Sequence, residues 1–385
     1  MTQPIAIIGA GLSGLTLSRT LLHHGIPFTL YQKGRSPPRH SYAITLQASA
    51  YRPLIKILDI SEDAFRSLVA VDAKRSGLAS HGGGMYTGSS FRANKRKVER
   101  LLRRGLFVHW KHMLENVAER SENQATQASA TPDELLKSHT ASLVIGADGV
   151  HSTVRNVLLP SASVEVLPYV AFNGQGTLTH RNFRRVNGTA MKDSMVIETR
   201  RRDALFSISI NETRPKLPIS VSWTYSRPAR GPTDVAYRPD RPVEDAEKYV
   251  EMAVSEFGGF RDLERPFSNT FNASRVREDE VKHWLMRTTS APLPALQDLL
   301  AKSGVCLMGD AVHAEPIIGG NGANAAIIDG LTLGEAIASG GQTGISKWYD
   351  DRYPVWKQGV EESRKNIARV HQQLKETASS VLRTV

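Results

Sequence analysis

The first apolar run of the chain, residues 4–8 (Pro-Ile-Ala-Ile-Ile), is closed by Gly9. A run this short, bounded by glycine, predicts a buried parallel strand. Leu15, Leu17, Leu21 and Leu22 then supply the apolar face of a helix that Gly25 ends, and residues 28–31 return as a second strand. Leu54, Ile55, Ile57 and Leu58 predict a helix over 48–58. Val98, Leu101, Leu102 and Leu106 predict another within 91–106, with a basic opposite face. Residues 142–146 and 304–308 repeat the buried-strand pattern. Between 195 and 225 the period changes to two. Phe206, Ile208 and Ile210 alternate with serines, and Ile219, Val221, Trp223 and Tyr225 alternate with Ser220, Ser222 and Thr224. That period marks antiparallel strands with one covered face. A hairpin or loop is expected over 78–90, a surface insertion over 119–140, a Pro- and Arg-rich connection over 226–242 and a helix over 243–257. The last thirty residues predict an amphipathic helix carrying Trp356, Val360, Ile367, Val370 and Leu374. The pattern is α/β: a parallel-sheet domain interrupted by a mainly antiparallel β lobe, with a C-terminal helix.

Composition narrows this only slightly. With 385 residues, 40% hydrophobic and 23% charged, the chain is long enough for a large core and is neither disordered nor fibrous. A single cysteine, Cys306, excludes an internal disulfide framework and a thiolate metal cluster, and predicts a reducing, cytoplasmic setting. Cys306 itself reads as an inert core residue. No apolar run suits a membrane span, and residues 4–8 lack the flanks of a signal peptide. The net charge of +11 suits an anionic partner, either a cofactor or nucleic acid.

The glycines carry the first chemistry. Gly9-Ala-Gly11-Leu-Ser13-Gly14 lies between a strand and a helix within about 30 residues, the setting of a dinucleotide fingerprint. Gly9 permits the turn, Gly11 lets backbone approach a pyrophosphate, and Gly14 lets helix and strand pack closely. The helix N-terminus offers free N–H groups to phosphate. The acidic residue expected after the second strand is replaced by Gln32, which accepts without charge assistance, and Lys33 beside it favours phosphate.

Two further motifs follow: Gly146-Ala-Asp148-Gly149-Val-His151-Ser152-Thr-Val-Arg155, and Gly309-Asp310-Ala-Val-His313-Ala-Glu-Pro316 running on to Gly320-Asn321-Gly322-Ala323-Asn324 and Asp329-Gly330. With the first, in this order and spacing, they make the chain resemble the class A flavoprotein monooxygenases, the para-hydroxybenzoate hydroxylase-like aromatic hydroxylases. The similarity runs from residue 4 to about 355, and the β-rich middle matches only in general character. The resemblance implies a Rossmann-like FAD-binding domain in three parts (1–77, 92–163 and 275–342). It implies a substrate lobe from 78–91 and 164–274, and a helical segment over 343–385. It implies that Asp310 holds the ribityl chain of FAD, that Gly309, Gly320, Gly322, Ala323 and Asn324 border the flavin, and that Asp148 lies near the pyrophosphate. Lys95 stands where the family has a phosphate-binding arginine, with Arg92 and Arg96 as the alternatives. Pro316 lies three residues after His313, where the family has four.

His313 reads as a packed core histidine more readily than as a catalyst. Trp223, Tyr225 and Trp284 are candidates for the substrate cavity, with core packing the default for the first two. The activity implied is FAD-dependent insertion of one atom of O₂, through a C4a-hydroperoxyflavin, into a mostly apolar aromatic or polycyclic small molecule. NADPH or NADH would serve as transient reductant. No metal site and no catalytic side chain is assigned. The alternatives are a flavin oxidase or reductase on the same fold, and a basic nucleotide- or nucleic-acid-binding protein without turnover. No basic module interleaved with aromatics favours the last, so no nucleic-acid partner is expected.

Overall fold

The computed structural model describes residues 4–34, 42–71, 90–112, 142–239, 249–318 and 320–372. The features expected over 78–89 and 119–140, together with Gly319 and Leu374, lie outside them. Two five-stranded sheets dominate. The first is wholly parallel, in the order β12 (Val305–Leu307), β6 (Leu143–Gly146), β1 (Ile5–Ile8), β2 (Phe28–Gln32), β5 (Val108–Trp110). β1 and β6 are buried along their whole length, which is why they appear as continuous apolar runs. Cys306 is fully buried in β12, and burial pushes its thiol up to about 12.

The second sheet is antiparallel, in the order β11 (Glu280–Thr288), β7 (Glu165–Leu178), β10 (Ile219–Pro228), β9 (Ala204–Glu212), β8 (Val196–Arg201). It extends past residue 274, since β11 is its edge strand. One face packs on helices Tyr249–Gly258 and Phe267–Thr270 through Phe257, Phe267 and Phe271. A short pair, β3 (Ala43–Leu46) with β4 (Phe91–Asn94), packs against β9 of the antiparallel sheet and against the helical segment Gly322–Val370. The strand β4 occupies the start of the stretch expected to be helical, and the helix begins at Lys95 with Asn94 as its cap.

Chain 226–242, expected as a connection, contains a buried ion cluster within its described part. Arg227, 1% exposed, bridges Asp234 (2.6 Å) and Glu256, and β10 continues to Pro228 to bring it there. The helical segment Gly322–Val370 bends at Gly341 (φ 54°, ψ −133°). Its first half crosses the Leu12–His23 helix so closely that a Cβ on Gly330 would come within 2.6 Å of Thr16. Trp356, Val360 and Ile367 face inward as their spacing predicts. Among the described residues no helix is long and apolar enough to cross a membrane.

Candidate flavin site

In a doubly wound parallel sheet, ligands sit beyond the C-terminal strand ends where the winding reverses. Here that point lies between β1 and β6, and the three motifs are the loops leaving β1, β6 and β12. Gly14 is required by close approach, since a Cβ there would meet Gly9 O at 2.0 Å. The space in front of Gly11 is open to 4 Å, and no side chain caps the Leu12–His23 helix. An unblocked helix N-terminus beside an open glycine is a phosphate-sized cradle. Ser13 is buried where the first loop abuts Gly309, whose own Cβ would meet Ser13 Oγ at 2.9 Å. Gln32 Oε1 accepts from Ala10 N–H at 3.0 Å, so the glutamine braces the glycine loop and leaves its amide NH₂ to donate. Lys33 is exposed beside it.

The second motif is tied to the third. Asp148 Oδ2 accepts from Thr153 N at 2.7 Å and Val154 N at 3.3 Å, while its Oδ1 is buried with no partner. Arg155 is fully buried and donates to Val150 O (2.8 Å) and Ala311 O (3.0 Å), locking the two loops together. Lys33, Arg287 and Arg155 all act on His151, whose pKa falls through burial first and these cations second.

At the third motif, Asp310 is accessible to solvent at the end of β12, although many protein atoms crowd around it. Burial raises its pKa, against the pull of His313 and Lys95. Lys95 bonds Glu99 and lies 5.7 Å from the Tyr42 ring centroid. Burial works against its charge, but Tyr42, Glu99 and Asp310 outweigh it and raise its pKa. Arg92 is directed elsewhere, toward the antiparallel sheet.

Asn324 is 2% exposed, and its side chain is fully engaged as a strut: Nδ2 donates to Thr45 O (2.9 Å) and Oδ1 accepts from Gln47 N (2.9 Å). Glu315 accepts from Asn321 N and holds the turn before the helix. Gly320, Gly322 and Ala323 are partly exposed there, and no side chain caps the helix.

His313 is a structural residue. It stacks on Trp356 (4.7 Å, 14°) and its Nε2 donates to Asp329 at 2.6 Å. Trp223 and Tyr225, candidates for the substrate cavity, are buried core residues of the lobe. They belong to the helix-covered face, where Trp223 Nε1 donates to Asp279 (2.8 Å) and Tyr225 Oη to Glu256 (3.0 Å). Alternation placed them on one face without indicating which face the helices cover. Trp284 lies on the other face of the sheet and packs against the small apolar cluster of Leu167, Ala171, Met286 and Ile367, as does Ile318.

The open glycine cradle, the accessible Asp310 carboxylate and the uncapped helix ends suit a long dinucleotide with a flat ring. A family model described as "FAD binding domain" matches residues 268–362. The FAD-dependent monooxygenase adaC of Aspergillus niger is 30% identical over 406 residues, covering 98% of this chain and 95% of that protein. This chain belongs to the FAD-dependent monooxygenases. The FAD-dependent monooxygenase nscC of Trichophyton rubrum is 28% identical over 397 residues, covering 95% of this chain and 93% of that one. Among solved structures, 2,6-dihydroxypyridine-3-hydroxylase from Arthrobacter nicotinovorans shares the fold with a TM-score of 0.70 at 18% identity, covering 99% and 100% of the two chains. Klebsiella pneumoniae HpxO, solved with FAD and uric acid, does so at 0.66 and 16%, covering 96% and 89%. As a member of this family the chain binds FAD.

Proposed function

We propose that this monooxygenase consumes NADPH or NADH and O₂ and places one oxygen atom on an aromatic or polycyclic small molecule. The observation that carries the reading is the convergence of three motifs at the C-terminal ends of the adjacent strands β1, β6 and β12, in a chain of this family. FAD, when bound, supplies both the electron transfer from the nicotinamide and the activation of oxygen.

The protein's part is placement. Backbone amides at Gly9, Gly11, Ser13 and Gly14 and the Leu12–His23 helix end would hold the pyrophosphate, and Gln32 and Lys33 the adenosine end. Asp310 would accept hydrogen bonds from the ribityl hydroxyls, and Lys95 and Asp148 would border the phosphates. Gly309, Gly320, Gly322 and Ala323 would let backbone lie against the ring, with Asn324 fixing that turn. The N-terminus of the Gly322–Val370 segment would favour negative charge beside the ring. The cations Lys33 and Arg287, which act together on His151, offer a landing site for the phosphates of a transient nicotinamide nucleotide.

The test is ¹⁸O₂ labelling with NADPH or NADH across a panel of aromatic compounds, with flavin reduction followed by stopped flow. One labelled oxygen in the product and substrate-accelerated reduction are expected. A product free of label would instead assign the chain to oxidase or reductase chemistry.

A further inference from the structure

Helix Lys95–Arg103 turns Val98, Leu101 and Leu102 toward the core and a row of cations toward solvent. It packs beside helix Glu62–Val69. Between the two runs a groove of about 360 Å³, lined by Lys97, Arg100, Arg103 and Arg104 with Leu68 and Leu101. Lys97 is neutralised by Glu212 at 2.9 Å. Among the described residues no carboxylate bonds Arg100, Arg103 or Arg104. Glu99 attracts Arg103, but it is already bonded to Lys95. The cations instead act on one another. Burial lowers the pKa of Arg103, Glu99 opposes this, and Arg96 and Arg100 add to the lowering. Arg19, which donates to Leu102 O, joins the same corner, and its pKa is lowered by burial and then by Arg104. Like charges crowded in this way repel unless an anion meets them.

Exposed apolar side chains collect at the same corner. Seven large apolar residues are exposed among the described ones, and three border this face: Phe107 (76%), Leu22 (50%) and Leu68 (38%). Phe107 stands three residues after Arg104. Leu22 lies one turn beyond Arg19 on helix Leu12–His23, and so on the same side of it. Leu68 lines the groove itself. Phe107 and Leu22 precede β5 and β2, so they mark the N-terminal end of the parallel sheet, opposite the motif loops.

Cations bordered by exposed apolar residues have the chemistry of an interfacial membrane contact. A nucleic-acid backbone would satisfy the arginines and leave Leu22 and Leu68 in water. A two-turn helix about 10 Å across fills roughly 900 Å³, so a partner's helix would ride over the groove, whereas a phosphodiester headgroup enters it.

We infer that this corner is a docking surface for an anionic phospholipid bilayer, with the arginines on headgroup phosphates and Phe107, Leu22 and Leu68 in the acyl boundary. This docking is separate from the oxygenation reading. It leaves the motif loops at the far end of the sheet clear of the membrane, and it holds the enzyme where apolar ring compounds dissolve.

Flotation of the FAD-loaded protein with two kinds of vesicle tests this: phosphatidylcholine alone, and phosphatidylcholine with an equal amount of phosphatidylserine. The protein should float with the anionic vesicles, remain behind with the neutral ones, and be released as salt rises. Each arginine near such a surface contributes about fivefold, so Arg100→Gln/Arg104→Gln should lower partitioning roughly 25-fold with flavin content unchanged. Arg100→Lys/Arg104→Lys keeps both charges and should bind as the parent does. Arg181→Gln/Arg185→Gln removes the same net charge from the exposed helix His180–Val186 of the lobe, and should also bind as the parent does. Phe107→Ser should weaken binding roughly tenfold and keep its salt dependence. Equal partitioning to both kinds of vesicle, or none to the anionic ones, overturns the inference. So does full binding by Arg100→Gln/Arg104→Gln, or an equal loss in Arg181→Gln/Arg185→Gln. Capture of single-stranded RNA without flotation would make this a nucleic-acid surface and overturns it as well. Because flotation needs no turnover, an unlabelled product would sink the oxygenation reading alone.

Discussion

Asp329 is fully buried and accepts from five donors. Its Oδ1 takes Arg352 Nε (3.1 Å), Arg352 Nη2 (2.8 Å) and Trp356 Nε1 (2.9 Å), while its Oδ2 takes His313 Nε2 (2.6 Å) and Gly309 N (3.3 Å). Both oxygens therefore face donors only. Asn in its place must turn an NH₂ toward one of these groups and loses the charge that Arg352 needs. Breaking a buried ion pair by removing one partner costs about 3–5 kcal/mol. At about 2 °C per kcal/mol for a chain of this size class, Asp329→Asn should melt roughly 6–10 °C lower. Calorimetry of the FAD-loaded protein measures this, and released flavin reports whether Gly309 has moved. The pH dependence has a definite sign. Burial opposes ionisation of Asp329, but His313 and Arg352 outweigh it and hold its pKa below the ordinary 3.8. The stabilisation is complete above that value and is lost as pH falls through the lower folded one. The gap between variant and parent should therefore narrow below about pH 4. A melting point within about 2 °C of the parent at pH 7 would refute the reasoning, because it would mean that the five bonds contribute less than one kcal/mol together.

Two further outcomes follow from the lobe. Trp223→Phe leaves a buried Asp279 oxygen without its indole donor and should cost about 1–3 kcal/mol by denaturant titration. It should leave substrate KM unchanged, because the ring lies on the helix-covered face, and a selective rise in KM would restore Trp223 as a substrate contact. For Asp234, burial opposes ionisation, but the bonds from Arg227 and the Arg230 and Ala236 amides prevail and hold its pKa down to about 2. Its contribution is present above the ordinary 3.8 and is lost as pH falls toward 2. Asp234→Asn should therefore melt lower than the parent at pH 7, with the difference shrinking by pH 3; a difference that grows on acidification would reverse the assignment.

The parallel sheet was legible because strands buried on both faces leave short apolar runs closed by glycine, and because its three loops carry motifs. The Gly9–Gly14 approach and the position of Asp310 at a strand end follow from spacing alone. Other features needed the fold. β4 is only four residues long, too short for a period of two to stand out from the basic helix after it. Arg92 therefore read as part of that helix. The alternation of Trp223 and Tyr225 with Ser222 and Thr224 predicted two faces, but only the register with β7 and the position of Phe257 show which one the helices cover. Asp329 was visible in the motif, whereas its partners Arg352 and Trp356 lie 23 and 27 residues further on. Arg227 looked like one more cation in a Pro-rich connection, because its carboxylates come from Asp234 and from a separate helix.

The two-faced sheet separates inheritance of shape from inheritance of taste. What keeps the lobe folded is concentrated on the side against the helices, where a lost ring leaves a void. The other side carries hydroxyls, amides and acids such as Ser207, Ser209, Gln175 and Glu198, each exchangeable for a neighbour of similar size without opening the core. A lineage can therefore rewrite that side one residue at a time, following a new ligand without passing through an unfolded ancestor.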